Sequence, residues 1–411
     1  MNNRSWGWLC VPLALVLLQA NVAVAGAGTG DANGDGLVDG GDYVIWCGQY
    51  QQRGDGLASD FNGDRVVDGR DYVLWASAFG RRYFYVAVGG DDSGAGTWSD
   101  PWRTIQRAAD VAAAGETVLV AAGVYGEPWT ARHSGTATAP IRFAGAGAGA
   151  TIVDGSGHSA NCYYNDGHDH VEIAGFTMCN SYRDGVDVKN AAGVVFEDCE
   201  FVDNGWRRGA WDHGVAIYFS SDVRLSDVSI RHNRANGFYA LASDHLLLER
   251  VSSADNGSGD NENGFLCQNS QHVVLYGCTA MGNGEDGIDL GGYAGDSRED
   301  MTQVVCENCT AVANRGEGFA ISGDAGDAFA TYGVLLVDCR AEDNDGVGLQ
   351  IYERAHHVEC RGCTLVGNSR GYNLIQQIHD VWLHDGVIAG NANGDGHIDG
   401  GLTNVVVENN Q

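Results

Sequence analysis

From about residue 160 onward, one short pattern keeps returning. A glycine is followed by apolar–x–apolar, as in "GVDV", "GVAI", "GFYA", "GFLC", "GIDL", "GFAI", "GLQI" and "GYNL". Such alternation makes short strands with one face turned in and one turned out. A few residues before each lies an asparagine: Asn180, Asn204, Asn233, Asn256, Asn283, Asn314, Asn344, Asn368, Asn391 and Asn409. Most intervals run from 23 to 31 residues. Five residues before the asparagine comes a small or apolar residue: Cys199, Val228, Val251, Cys278, Cys309, Cys339 or Cys363. A period of this size with alternating strands predicts a parallel β-helix over residues 161–411, its coils about 4.8 Å apart.

This periodicity predicts two ladders. The asparagines stack in one turn, each satisfying backbone groups of its own and the next coil. The cysteines Cys278, Cys309 and Cys339 stack inside as small apolar thiols. If a bridge forms, Cys162–Cys179 is the expected pair. Residues 83–160 read differently. "FYVAVGGDDSGAGTWSDPWRTIQRAADVAAAGETVLVAAGVY" gives strand, loop, amphipathic helix, strand, with Ile105, Ala108, Ala109 and Ala112 on one helix face. That segment is expected to cap the solenoid's open end and supply its first coil.

Composition refines this. The chain has 411 residues, 61 Gly, only 4 Pro and a net charge of −30. Many tight turns fit a solenoid. The charge disfavours nucleic acid and anionic lipid and favours divalent cations. Lys189 is the only lysine. At the N-terminus, Arg4, the apolar "WLCVPLALVLL" and the small residues Ala23–Ala25 predict a signal peptide over 1–25 and a secreted or cell-surface protein.

Residues 29–80 hold two acidic loops. "DANGDGLVDGGD" offers Asp31, Asn33, Asp35, Asp39 and Asp42 with the Leu37 carbonyl. "DFNGDRVVDGRD" offers Asp60, Asn62, Asp64, Asp68 and Asp71 with the Val66 carbonyl. Oxygen ligands at positions 1, 3, 5, 7, 9 and 12 wrap a loop around Ca2+. Each loop runs into a helix start, "YVIW" or "YVLW". The pair resembles a dockerin module, which implies an α-helical calcium-binding unit and a cohesin-like protein partner. Arg65 departs from the glycine expected at position 6.

The stretch "NGEDGIDLGG" gathers Glu285, Asp286 and Asp289 where one strand begins. The same turn one coil earlier brings Asn263, and one coil later Arg315 and Glu317. Equivalent outward positions on neighbouring coils are one strand spacing apart, so these oxygens converge. Carboxylates this close share a proton or hold a cation, and the donor set suits Ca2+.

With these residues in view, the region from 83 to 411 resembles the family-9 polysaccharide lyases, pectate-lyase-like right-handed β-helices. The resemblance implies Ca2+ held by Asn263, Glu285, Asp286 and Asp289, with Glu285 standing for the first Asp of the family's Asp-Asp-Gly-x-Asp motif. It implies β-elimination on an acidic, uronate polysaccharide. The family's lysine, in "NGFKLGG", falls here on Ala320 of "EGFAISG", so the base must differ. Arg315 and Glu317 are the nearest candidates. Lys189 lies four coils from Asp289, roughly 19 Å away, and cannot substitute.

A second cluster echoes the first. "YRDGVDVK" gives Asp184, Asp187 and Lys189, and "WDHG" adds Asp212 and His213. It reads either as an active-site set or as turn carboxylates beside a solvated histidine. Tyr218, Tyr239 and Tyr352 are predicted to face outward, where they could stack sugar rings. "NANGDGHIDGGL", lacking a closing carboxylate at Leu402, reads as a coil turn. Three functions stay open: a lyase-like enzyme with an altered base, a glycoside hydrolase using Asp286 and Glu317, and a non-catalytic carbohydrate-binding or scaffold protein.

Overall fold

The computed structural model describes residues 28–207, 212–257, 262–291, 300–323, 329–400, 402–408 and 410. The expected signal peptide and Asn409 lie outside them. Two compact units are present: Met1–Gly34 with Val38–Gly80, and Asp35–Leu37 with Arg81–Gln411. No helix among the described residues is long and apolar enough to cross a membrane.

In the smaller unit two ten-residue helices, Gly40–Gln49 and Gly69–Ala78, each begin at an aspartate cap, Asp39 or Asp68. Both caps are capping boxes closed by Asp42 or Asp71. The helices are tied reciprocally: Trp46 Nε1 donates to the Asp68 carbonyl at 3.1 Å and Trp75 Nε1 to the Asp39 carbonyl at 3.0 Å.

The larger unit is a mainly β parallel solenoid of about 11 turns, built from one 13-stranded and two 11-stranded sheets. Every pairing between its named strands is parallel, and each joins a strand to its counterpart one turn away, as in Asp187↔Ala216 and Asp289↔Ala320. Strands from 83–160 enter the same three sheets, so cap and coils are continuous. The helix in this region is short, Ile105–Ala109, capped by Thr104. Ile105, Ala108, Ala109 and Ala112 are all buried as predicted, but Ala112 lies beyond the helix end.

The asparagine ladder runs unbroken from Asn204 through Asn233, Asn256, Asn283, Asn314, Asn344 and Asn368 to Asn391. Each oxygen accepts the amide of its predecessor, and each Nδ2 also reaches a backbone carbonyl, as Asn283 does to Ser253 at 3.1 Å. Asn180 does not join. Its φ of 57° turns it aside to Asp154, and Ser181 takes the slot through its amide. Beside the ladder runs a column of glycines with no room for a Cβ: at Gly264 it would meet Asn283 Nδ2 at 2.6 Å and the Gly287 carbonyl at 2.7 Å.

Cys199, Cys278, Cys309 and Cys339 are buried free thiols. The Cys162–Cys179 bridge expected from sequence does not form. The Cys162 thiol instead donates to the Cys179 carbonyl at 3.2 Å, and the one recorded disulfide is Cys360–Cys363.

Candidate functional site

The second 11-stranded sheet, which carries Val186–Lys189, Val215–Tyr218, Phe238–Leu241, Phe265–Gln268, Ile288–Gly291 and Phe319–Ser322, presents the candidate chemistry. Its inward residues, among them Val188, Phe238, Leu290 and Phe319, belong to the core. Alternation turns the others outward. One outward column reads Asp187, Ala216, Tyr239, Leu266, Asp289, Ala320, Gln350. The next reads Lys189, Tyr218, Leu241, Gln268, Gly291, Ser322, Tyr352. Thus Tyr218, Tyr239 and Tyr352 do face outward. Tyr239, Leu241 and Leu266 form a small apolar patch there, with Tyr218 packed against it.

A third column stands at the residue before each glycine, where backbone amides are received by side chains of the preceding coil. Asn263 Oδ1 accepts from the Asp286 amide at 2.9 Å, and Asp286 Oδ1 accepts from the Glu317 amide at 2.6 Å. Asn263 Nδ2 donates to Asp289 Oδ2 at 3.3 Å. The other oxygen, Asp289 Oδ1, is buried without a hydrogen-bond partner among the described residues. Burial and the neighbouring Glu317 and Asp289 carboxylates hold Asp286 well above the ordinary carboxylate range. Burial and the Glu285 and Glu317 charges do the same for Asp289. Glu285, more exposed, is raised by burial and by Glu317.

The expected convergence is therefore partial. Asp286, Asp289, Glu285 and Glu317 are brought together electrostatically. Asn263 turns its nitrogen toward Asp289, because its oxygen is committed to the Asp286 amide. Its amide thereby brackets Asp289. Among the described residues, the one set of three His, Cys, Asp or Glu with ligand atoms within 4.8 Å is Asp244, His245 and His272, on the exposed face of the 13-stranded sheet. Consecutive "SDH" and "SQH" in one register were its overlooked sequence signal. Even so, the donor set at Asp289 fits a divalent cation. An orphaned buried carboxylate oxygen calls for a positive partner. Gly291 puts no side chain beside it, and the Ser322 hydroxyl of the next coil fills the place a Cβ would take.

Of the proposed bases, Arg315 is exposed and Glu317 half-buried. Ala320 lies beside Asp289 in the next coil, and its methyl can move no proton. Tyr352 is raised by burial and by the charge of Asp289, which places its phenol within that field.

The residues of the two acidic loops adopt matching turns. Asn33 donates its amide to Asp42 Oδ1 and Asn62 to Asp71 Oδ1, both at 3.1 Å. Asp31 Oδ1 accepts from the Gly34 amide, Asp35 Oδ1 from Leu37 and Asp64 Oδ1 from Val66. Arg65 takes φ 68° where glycine was expected, and its amide reaches Asp60 Oδ2 at 2.8 Å. Asp60 Oδ1 is buried and unpartnered, again a place that fits a cation.

Residues 84–394 match the family described as Pel9A-like, right handed beta helix region. The chain belongs to this family. The Pel9A-like chain is 26% identical over 215 residues to pectate lyase PEL9 of Emericella nidulans, covering 50% of this chain and 48% of that protein. It is 36% identical over 103 residues to YwoF of Bacillus subtilis, covering 23% and 22%. It thus spans about half or less of the length of these relatives. Among solved structures, a rhamnogalacturonan lyase superposes with TM-score 0.54 at 17% identity, covering 79% of this chain and 86% of that one. The A-module of the Azotobacter vinelandii mannuronan C-5 epimerase AlgE6 gives 0.53 at 16%, covering 72% and 90%. These likenesses concern the fold. The family match makes this helix right-handed, and the relative with half-chain coverage is a pectate lyase.

Proposed function

We propose that this Pel9A-like protein binds an acidic polysaccharide through Ca2+ at Asp289 and acts on it by removing the uronate C5 proton. The observation that carries this reading is the buried, partnerless Asp289 Oδ1 on the outward face. Asp289, Asp286 and Glu285 would hold the ion. Bound there, Ca2+ supplies positive charge that draws in a uronate carboxylate and acidifies its C5 proton. Asn263 fixes the Asp289 carboxylate by its amide. Glu317, in the adjoining turn, is the group of this chain placed to accept the proton on its carboxylate. In a lyase the electron pair left at C5 forms the C4=C5 double bond as the C4–O bond breaks, and the leaving oxygen takes a proton from solvent.

The test is absorbance of unsaturated products on a panel of polyuronates, lost with chelator and with Asp289→Ala. A panel giving neither unsaturated product nor calcium-dependent binding sinks the proposal. A second reading, calcium-dependent binding without turnover, is favoured by Ala320 at the lysine position. It predicts retention on polyuronate with no product. The glycoside hydrolase reading loses support, because Asp286 is buried and its Oδ1 is taken up by the Glu317 backbone amide at 2.6 Å, whereas paired glycosidase carboxyls must flank the scissile bond.

We also read residues 29–80 as a dockerin-like calcium module that takes a cohesin-like protein partner, and the whole as exported. The two matched loops and the orphaned Asp60 oxygen support the first. Calcium-dependent gain of helix would test it, and the N-terminal residue of the mature chain would test export.

A further inference from the structure

The carboxylate nest at Asp289 is built twice. Four coils earlier, Asn161, Asp184 and Asp187 repeat Asn263, Asp286 and Asp289 bond for bond. Asn161 Oδ1 accepts the Asp184 amide at 3.1 Å. Asn161 Nδ2 donates to Asp187 Oδ2 at 3.2 Å. Asp184 Oδ1 accepts the His213 amide at 2.6 Å, as Asp286 accepts that of Glu317. Asp187 Oδ1, in a residue only 5% exposed, is again buried and without a partner among the described residues.

The copies differ at one decisive place. Two residues after the strand aspartate, the later nest has Gly291, which brings no side chain of its own, with the Ser322 hydroxyl packed against it. The earlier has Lys189, whose Nζ stands 3.0 Å from Asp187 Oδ2. This ammonium is steered from both sides, 4.9 Å from the Tyr218 ring centroid and 5.8 Å from that of Tyr164. Its side chain remains 36% exposed, so donors face solvent. The earlier nest thus carries its own cation, whereas the equivalent position of the later nest supplies none. Between the nests, on the same outward face, lies the apolar patch of Tyr239, Leu241 and Leu266 with Tyr218 against it. Flat amphipathic rings of this kind suit the C–H faces of sugars.

We propose that the Asp187–Lys189 nest is a second, metal-free anchoring subsite for the same uronate chain. The Lys189 ammonium holds a carboxylate about 19 Å from the one held at Asp289. Asp187 and Asn161 fix the ammonium, and the tyrosine patch carries the intervening sugars. One pyranose advances a chain by about one coil spacing, so an oligomer must exceed four units to reach both nests. The idea rests on the uronate reading above.

The experiment titrates oligogalacturonates and oligoalginates, from dimers to octamers, into the full chain with calcium present. The parent is expected to bind the long oligomers about tenfold or more tighter than the short ones. Lys189→Met is expected to lose that rise with length and Lys189→Arg to keep it, both melting as cooperatively as the parent. Asp289→Asn is expected to weaken every length. A Lys189→Met protein whose affinity still climbs with length overturns the subsite and leaves the uronate function standing. No binding of any oligomer to the parent overturns both.

Discussion

Asn263 Nδ2 lies 3.3 Å from Asp289 Oδ2, and the same side chain's oxygen receives the Asp286 amide. One side chain thereby holds the Asp289 carboxylate and the Asp286 backbone together and leaves Asp289 Oδ1 free to meet a cation. Groups that orient metal ligands commonly change affinity 10–100-fold when removed. Asn263→Ala is accordingly expected to weaken the calcium isotherm by about that factor, and Asp289→Ala to remove this site from it. Identical isotherms for parent and Asn263→Ala would show that the bracket plays no part.

The acidic pair also predicts a pH dependence. Asp286 and Asp289 are both raised above the ordinary value of 3.8. In the metal-free protein their protonated forms favour the fold fully below about 3.8, and that contribution is lost as pH rises through the raised range. The chelated protein should therefore melt lower on going from acid to neutral pH at this site's expense. Asp286→Asn should flatten the decline, and calcium should restore stability on the alkaline side while releasing protons.

His213 has the opposite sign. It is 1% exposed, stacked on Tyr239 with centroids 4.6 Å apart, and burial depresses it from 6.5 to about 3. The unfolded chain takes up a proton near 6.5 that the folded chain refuses. Stability from the neutral ring is complete above that value and falls as pH drops toward 3. His213→Phe keeps the stack but leaves Asn236 Nδ2 without its 3.3 Å contact to the ring nitrogen, costing about 1–3 kcal/mol at neutral pH. Its melting curve should lose acid sensitivity between those pH values.

Asn283 is fully buried, receives the Asn256 amide and donates to both Ser253 and Asn314. Asn283→Ala orphans several polar groups, each worth about 1–3 kcal/mol. Urea unfolding should show a loss of about 3 kcal/mol or more. Asn391→Ala, at the half-exposed end, should cost distinctly less.

Asp68 caps its helix through the Arg70 amide at 2.7 Å and Asp71 closes the box. Asp68→Ala is expected to cost about 1 kcal/mol in the smaller unit, read as a lower helix signal in chelator. Asp71→Ala should cost more and also reduce the calcium stoichiometry.

The coil architecture was legible because alternation, the glycine column and the asparagine spacing all encode one backbone geometry. What escaped was local. Asn180 fills the expected interval, yet a left-handed φ moves the slot to Ser181. The helix at Ile105 reads longer than it is, since Ala112 is buried by tertiary contact beyond its end. Asn263 was rightly placed beside Asp289, but which atom it offers depends on a backbone amide in the next coil. Asn161 was missed altogether, because no glycine follows it: Cys162 fills that column. Lys189 was measured against one acidic cluster and rejected there, while its meaning depends on the repeat of the other.

The glycine column has a consequence for how such molecules change through descent. Where the column is glycine, the residue immediately before it still varies: Asn236, Asn263, Asp286, Glu317 and Val347 all occupy that post in successive turns. Duplicating or exchanging one whole turn would carry its outward residues to a new height without disturbing the scaffold. The molecule resembles movable type, in which a lineage can reset one character and print a different surface from the same frame.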